Sequence, residues 1–228
     1  MTQPSETRLG LFERAFVPRY VHVESHGGVE TRVRFEVHQS ATRLKPRGGQ
    51  LELGGCLFPQ DRSLPQGEFA VEIARGSREH GREGPRNDLV RLVLVKALPE
   101  RWERLTGLTR ASSQALDPTA RTEQWVATEH LALDAGSMAI AEPGFGERLE
   151  QLAHEHRTDF DGVRLMGERG AVDLTTLEST EVLQATKLEG RHSVAFETGK
   201  PRGEFFVWGG YTAKGTLCRL LIDFEVFA

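Results

Sequence analysis

The sequence predicts an α+β fold dominated by antiparallel β-sheet, meander- or sandwich-like, with two or three short helices. Three observations predict it. The last quarter of the chain carries three β-prone runs, His192–Thr198 (HSVAFET), Glu204–Gly210 (EFFVWGG) and Thr216–Phe227 (TLCRLLIDFEVF), divided by glycine-bearing turns at Gly199–Gly203 and Tyr211–Gly215; that pattern reads as an antiparallel meander. Near the start, Tyr20–Val23 and Thr31–His38 alternate apolar and polar residues with period two. Helical spacing is confined to short stretches.

Taken in order, residues 1–18 read as a loosely attached arm. Ser25-His26-Gly27-Gly28 joins the two alternating runs into a hairpin, with Val33, Phe35 and Val37 on one face and Arg32, Arg34 and Glu36 on the other. Residues 44–49 (LKPRGG) form a loop, and Gln50–Phe58 a short strand that Gly54-Gly55 interrupts as a bulge. In Glu68–Ala74 (EFAVEIA), Phe69, Val71 and Ile73 share a face. Asp88–Val95 is a longer apolar strand, and the charged stretch Arg75–Arg86 between them a solvated hairpin loop. Leu98–Leu105 reads as one or two helical turns opened by Pro99, with Trp102 and Leu105 on one face. Gln124–Leu133 is a strand leading into Leu133–Ala141. Pro143 ends it, and Gly146–His156 has helical spacing, with Leu149, Leu152 and Ala153 inward. Thr175–Leu183 reads as a short helix capped by Asp173 or Thr175. The sum is about eight to ten strands.

The bulk properties bound the function. The 228 residues suit a single domain over 1–228, and 38% hydrophobic with 27% charged residues supply both a core and a solvated surface. A net charge of −4 speaks against a general nucleic-acid binder. No apolar run approaches the ~20 residues of a membrane span, and MTQPSETRLG carries no apolar signal region. Cys56 and Cys218, far apart in apolar stretches, read as buried free thiols in a cytoplasmic protein.

Four segments follow one another in a recognisable order: LPQGEFAVEIA (Leu64–Ala74), NDLVRLVLVKALPERWERL (Asn87–Leu105), LDAGSMAIAEP (Leu133–Pro143) and GEFFVWGGYTAKGTLCRLLIDFEVF (Gly203–Phe227). Over residues 45–227 the chain resembles the bacterial family known as domain of unknown function 4241. Gly67, Phe69, Val71, Trp102, Glu103, Asp134, Ala135, Gly136, Gly210, Gly215, Asp223 and Phe224 carry the match. Two departures stand out. Arg202 sits near the position of an acidic turn residue, and Met138–Glu142 is more apolar than the family pattern. The resemblance implies a bacterial protein from a setting of conflict and toxin neutralisation; it implies no activity.

Few residues point to chemistry. His154, Glu155, His156, Asp159 and Asp161 are the densest set of metal-ligand types, but side chains two apart on a helix diverge, so no metal site is predicted. Ser137 and Ser193 lack the Gly-x-Ser-x-Gly setting of an activated nucleophile. Gly199-Lys200 is followed by Pro201, which cannot hold magnesium as a phosphate loop requires. Asp134 and Asp223, if they meet, make a paired-carboxylate hydrolase site with His192 as base. Arg202, Trp208 and Tyr211 line the closing hairpin with the side-chain types that anchor interfaces, although Trp208 alternates with Phe206 as a core residue would.

These observations favour a non-enzymatic, cofactor-free binding protein, in its sharpest form an immunity protein that occludes the active site of a basic toxin. The alternatives are the hydrolase and a small-ligand sensor. Oligomeric state is left open.

Overall fold

Alternation with period two runs through more of this chain than the sequence reading assigns, and it builds two sheets. The structure, a computed structural model, describes residues 6–26, 29–58, 63–79, 84–105, 108–111, 125–128, 131–133, 136–199 and 203–224. The first sheet runs β1 (Val21–His26), β2 (Val29–Leu44), β5 (Phe69–Arg78), β6 (Arg86–Val93), β16 (Leu217–Asp223), β15 (Gly203–Tyr211) and β10 (Leu131–Leu133), with β7 (Arg101–Arg104) also on β15. The second runs β12 (Leu174–Ser179), β13 (Leu183–Leu188), β14 (Arg191–Glu197), β11 (Ser137–Ala141), β3 (Leu51–Leu53), β4 (Cys56–Phe58), β8 (Leu108–Ala111) and β9 (Trp125–Thr128). The pairings between these strands are antiparallel, as the sequence predicts.

The sheets pack face to face. Phe69, Val71, Ile73, Val90, Leu92, Leu220 and Ile222 of the first meet Leu51, Leu53, Phe58, Ile140, Val194 and Phe196 of the second. Each fully buried Leu, Ile or Phe side chain contributes about 1.5–3 kcal/mol. A helix covers each outer face: α1 (Glu6–Arg14) the first, and α2 (Phe145–Glu155) with α3 (Phe160–Glu168) the second. Cys56 and Cys218 are buried, and neither forms a disulfide. Among the described residues no helix is long and apolar enough to cross a membrane.

Several expectations need correction, each for a local reason. From Glu6 onward, the N-terminal stretch is no loose arm. Leu11, Phe12, Ala15 and Phe16 recur at helical spacing and are buried against Val33, Phe35, Ala74, Leu89 and Trp208. Gly54-Gly55 is a two-residue hairpin turn rather than a bulge. Both glycines have positive φ (54° and 77°), and Leu53 pairs with Cys56 across them. The Trp102 segment is strand, not helix. Trp102 joins the α1 side while Leu105 enters the space between the sheets, as residues three apart in a strand must. Gly209 and Gly210 make room for it: a Cβ on Gly210 would lie 3.1 Å from the Trp102 ring, and one on Gly209 2.8 Å from Leu105.

Thr175–Leu183 spans β12 and the start of β13, because β-branched Thr175 and Thr176 suit an edge strand. The second helix of the α pair lies earlier, where Asp159 caps Phe160–Glu168 by accepting from Gly162 N at 2.9 Å. Gln124–Leu133 divides into two strands that join opposite sheets. The closing meander is likewise shared. β15 and β16 form a hairpin, but β14 lies in the other sheet between β13 and β11.

Candidate functional site

A groove of about 680 Å³ opens at the end of β2, which also packs against β12, β13 and β14. A bulge makes its first wall. The register of β2 on β5 shifts between Gln39 and Arg43, so Ala41 and Thr42 fall out of the ladder. Ser40 replaces the missing partner: its hydroxyl accepts from Val71 N at 2.9 Å and donates to Thr42 O at 2.7 Å. Ala41 N donates across the interface to the Glu178 carboxylate of β12 at 2.9 Å. Beyond the bulge, Arg43, Lys45 and Arg47 line the groove, while Leu44 between the first two is fully buried.

The opposite wall is Leu177, Gly190 and His192, and the floor is Glu142. Glu142 is only 2% exposed and is fully engaged. Its Oε1 accepts from Lys45 N at 3.2 Å and lies 3.1 Å from His192 Nδ1; its Oε2 accepts from Arg47 Nε at 3.0 Å. Arg47 Nη2 donates to Gly190 O at 2.7 Å, which ties the rim to the β13–β14 turn. A proton on His192 Nδ1 donates to Glu142 and leaves Nε2 as an acceptor beside the groove. A charged acceptor sharing three donors is one of the stronger polar arrangements a fold offers.

Below the floor, Glu52 on β3 holds the start of α2. Its carboxylate accepts from Gly144 N at 3.0 Å and Gly146 N at 3.1 Å. Burial pushes the Glu52 carboxyl above its ordinary value, and the charges of Glu147 and Glu150 add to the rise; the two backbone N–H groups pull the other way. Arg191 Nε donates to Pro143 O at 3.1 Å, so the turn that carries Glu142 is fixed on both sides.

The residues singled out in the sequence do not assemble into a site. Asp134 and Arg202 lie outside the described residues. Asp223 is buried and has Arg219 and Leu221 on its own strand face, the one α1 covers. His192 shares a face with Val194 and Phe196, which point between the sheets. The hydrolase arrangement with His192 as base to Asp223 is therefore corrected: a sheet separates the two groups. Trp208 and Tyr211 are corrected as interface anchors. Trp208 packs against Phe12 at a ring distance of 5.6 Å, and Tyr211 lies in the core between the sheets. Of the acidic and histidine set near residue 156, Asp159 caps α3 and Asp161 pairs with Arg164 at 3.5 Å. Among the described residues no three metal-ligating side chains gather.

The sequence reading missed Arg43, Lys45, Arg47 and Glu142. A signal for the first three was present: basic residues at every second position around a buried leucine. No family model, curated protein or solved structure matches this chain.

Proposed function

We propose that this protein is a binding protein whose working surface is the groove between β2 and the second sheet, and that its ligand carries carboxylate or phosphoryl charge. One observation carries the reading. Three cationic side chains, Arg43, Lys45 and Arg47, line one groove, whereas its two carboxylates are the exposed Glu68 and the internally satisfied Glu142. Cations collected at the end of β2 and in the loop that follows it, with a buried acceptor holding one of them in place, suit recognition of an oxyanion.

The test is calorimetric titration at low salt with inorganic phosphate in one arm and citrate in the other. Binding in either arm, weakened about tenfold by Arg43→Ala or Lys45→Ala, supports the reading, since a charge-assisted hydrogen bond contributes about 1.5–3 kcal/mol. No heat in either arm, or binding indifferent to both variants, ends it.

The resemblance to the uncharacterised bacterial family supports toxin neutralisation as the setting. On this reading the occluded partner presents carboxylates to the groove, opposite in sign to the basic toxin that the net charge suggests. Protection of cells from a co-expressed toxin, lost on Arg43→Glu, is the result to look for.

A second reading is favoured by His192. Its ring is oriented by a buried carboxylate, which is how a general base is held. Under this reading Glu142 takes the role the sequence assigned to Asp134 and Asp223. Turnover of a chromogenic ester or phosphoester that disappears in His192→Gln would replace the first reading with this one.

A further inference from the structure

We propose that the free edge of β1 is a homodimer interface, at which a second copy of this chain adds its own β1 antiparallel about a two-fold axis at Val23. β1 ends the first sheet, and β2 is its partner there among the described residues. The hydrogen-bond phase identifies which backbone groups remain open. Phe35 N donates to Tyr20 O at 3.3 Å, and Val21 pairs with Arg34 and His22 with Val33 in the adjoining register. In an antiparallel pair the bonded positions alternate, so Tyr20, His22 and Glu24 face β2, whereas Val21, Val23 and Ser25 turn their N–H and C=O groups outward.

The sequence Val21-His22-Val23-Glu24-Ser25 is complementary to itself when reversed. With Val23 of one copy opposite Val23 of the other, Val21 meets Ser25 through outward-facing backbone groups at both ends. His22 then lies opposite Glu24 on one face, twice over by symmetry, and an imidazole donor facing a carboxylate across strands stabilises the pairing. The other face brings together Val21 and Val23, which are 39% and 48% exposed on the single chain. Glu24 is held in place on the His22 face, where its Oε2 accepts from Arg78 Nη2 at 3.1 Å.

Sedimentation velocity across micromolar to hundreds-of-micromolar protein tests this. The wild type is expected to shift to twice the chain mass with rising concentration. Val23→Pro removes an N–H that points away from β2, so the β1–β2 ladder survives while the central pair of the interface is lost; the variant is expected to stay monomeric with an unchanged circular dichroism spectrum. Val23→Lys sets two ammonium groups against each other at the axis and gives the same result by a route that leaves the backbone alone. A wild type that stays monomeric throughout, or a dimer that survives both substitutions, overturns the proposal. β1 does not line the groove, so phosphate titration of either variant is expected to match the wild type whatever the groove proves to bind.

Discussion

Two carboxylates in this molecule each hold two nitrogen-bearing side chains, and they do so inside out relative to one another. Glu13 on α1 pairs with Arg91 Nη1 and Arg219 Nε, both at 3.1 Å. There the guanidinium groups are the buried partners, at 12% and 5% side-chain exposure against 26% for the carboxylate. Arg91 also meets Glu72 at 2.7 Å and lies 3.9 Å over the Phe16 ring, and Arg219 donates to Val95 O and Cys218 O. At the groove the order is reversed. The Glu142 side chain is 3% exposed while those of Arg47 and His192 are 49% and 30% exposed. The first cluster spends its cations inside the protein to fasten a helix. The second fixes its anion inside and leaves its cations facing solvent, where a ligand can reach them.

The largest effect expected is on the helix clasp. Removing one partner of a buried ion pair costs about 3–5 kcal/mol, because the remaining charge stays desolvated. Glu13→Ala leaves Arg219 with carbonyl acceptors and no carboxylate. Equilibrium urea unfolding is expected to show a loss of that size, with phosphate binding at the groove unchanged. A loss below about 1 kcal/mol would mean that water reaches Arg219 and that the two clusters are alike. The groove floor comes next. Glu142→Ala strips the acceptor from Lys45 N, Arg47 and His192, all near solvent, so about 1–3 kcal/mol is expected. Unlike Glu13→Ala, it is expected also to weaken phosphate binding, because Arg47 and His192 lose the group that positions them.

The same contrast explains what the sequence shows and what it hides. The strands β2, β5, β6 and β16 are legible because a buried sheet face imposes period two on consecutive residues, and the sequence carries that pattern openly. The Trp102 strand reads as a helical turn in the sequence because a tryptophan and a leucine three apart satisfy a helix locally. The two glycines that receive them lie about a hundred residues away. Residues 1–18 read as an arm because polar positions dominate the stretch, although Phe12 and Phe16 are one turn apart. The exchange of β14 into the opposite sheet leaves no local mark, since a strand reads alike in either sheet. Glu142 was invisible as a site residue for a related reason. Its role depends on Lys45 and Arg47, which meet it through the fold from some ninety-five positions away.

Smaller in expected size than either cluster is Glu52, the carboxylate beneath the groove. Its pKa is raised above the ordinary value of 4.5, chiefly by burial, so the folded chain holds this proton more tightly than the unfolded chain does. The stability it contributes is complete below that ordinary value and is lost as pH rises through the raised one. Glu52→Gln keeps the shape, cannot ionise, and sets an amide N–H₂ against one of the two glycine N–H groups. A cost of about 1 kcal/mol is expected at acid pH. Urea midpoints measured from acid to neutral pH should show the variant gaining on the wild type as pH rises. A gap that widens instead would mean that the N–H groups at the start of α2 outweigh burial.

The smallest effect on stability, and the one that most sharpens the contrast, is at the rim. Arg43 and Lys45 are exposed; Arg43 reaches only the Glu68 carbonyl at 3.5 Å, and the Lys45 side chain makes no hydrogen bond or ion pair among the described residues. Side chains held so lightly contribute about 0.5 kcal/mol or less to folding. Arg43→Ala and Lys45→Ala are therefore expected to unfold at the wild-type urea concentration while losing oxyanion affinity. The fold then does not need these cations, and their place beside an internally neutralised carboxylate follows from binding. If either substitution instead lowers stability by 1 kcal/mol or more, that cation fastens β2 to the second sheet as Glu13 fastens α1, and the groove is a second clasp.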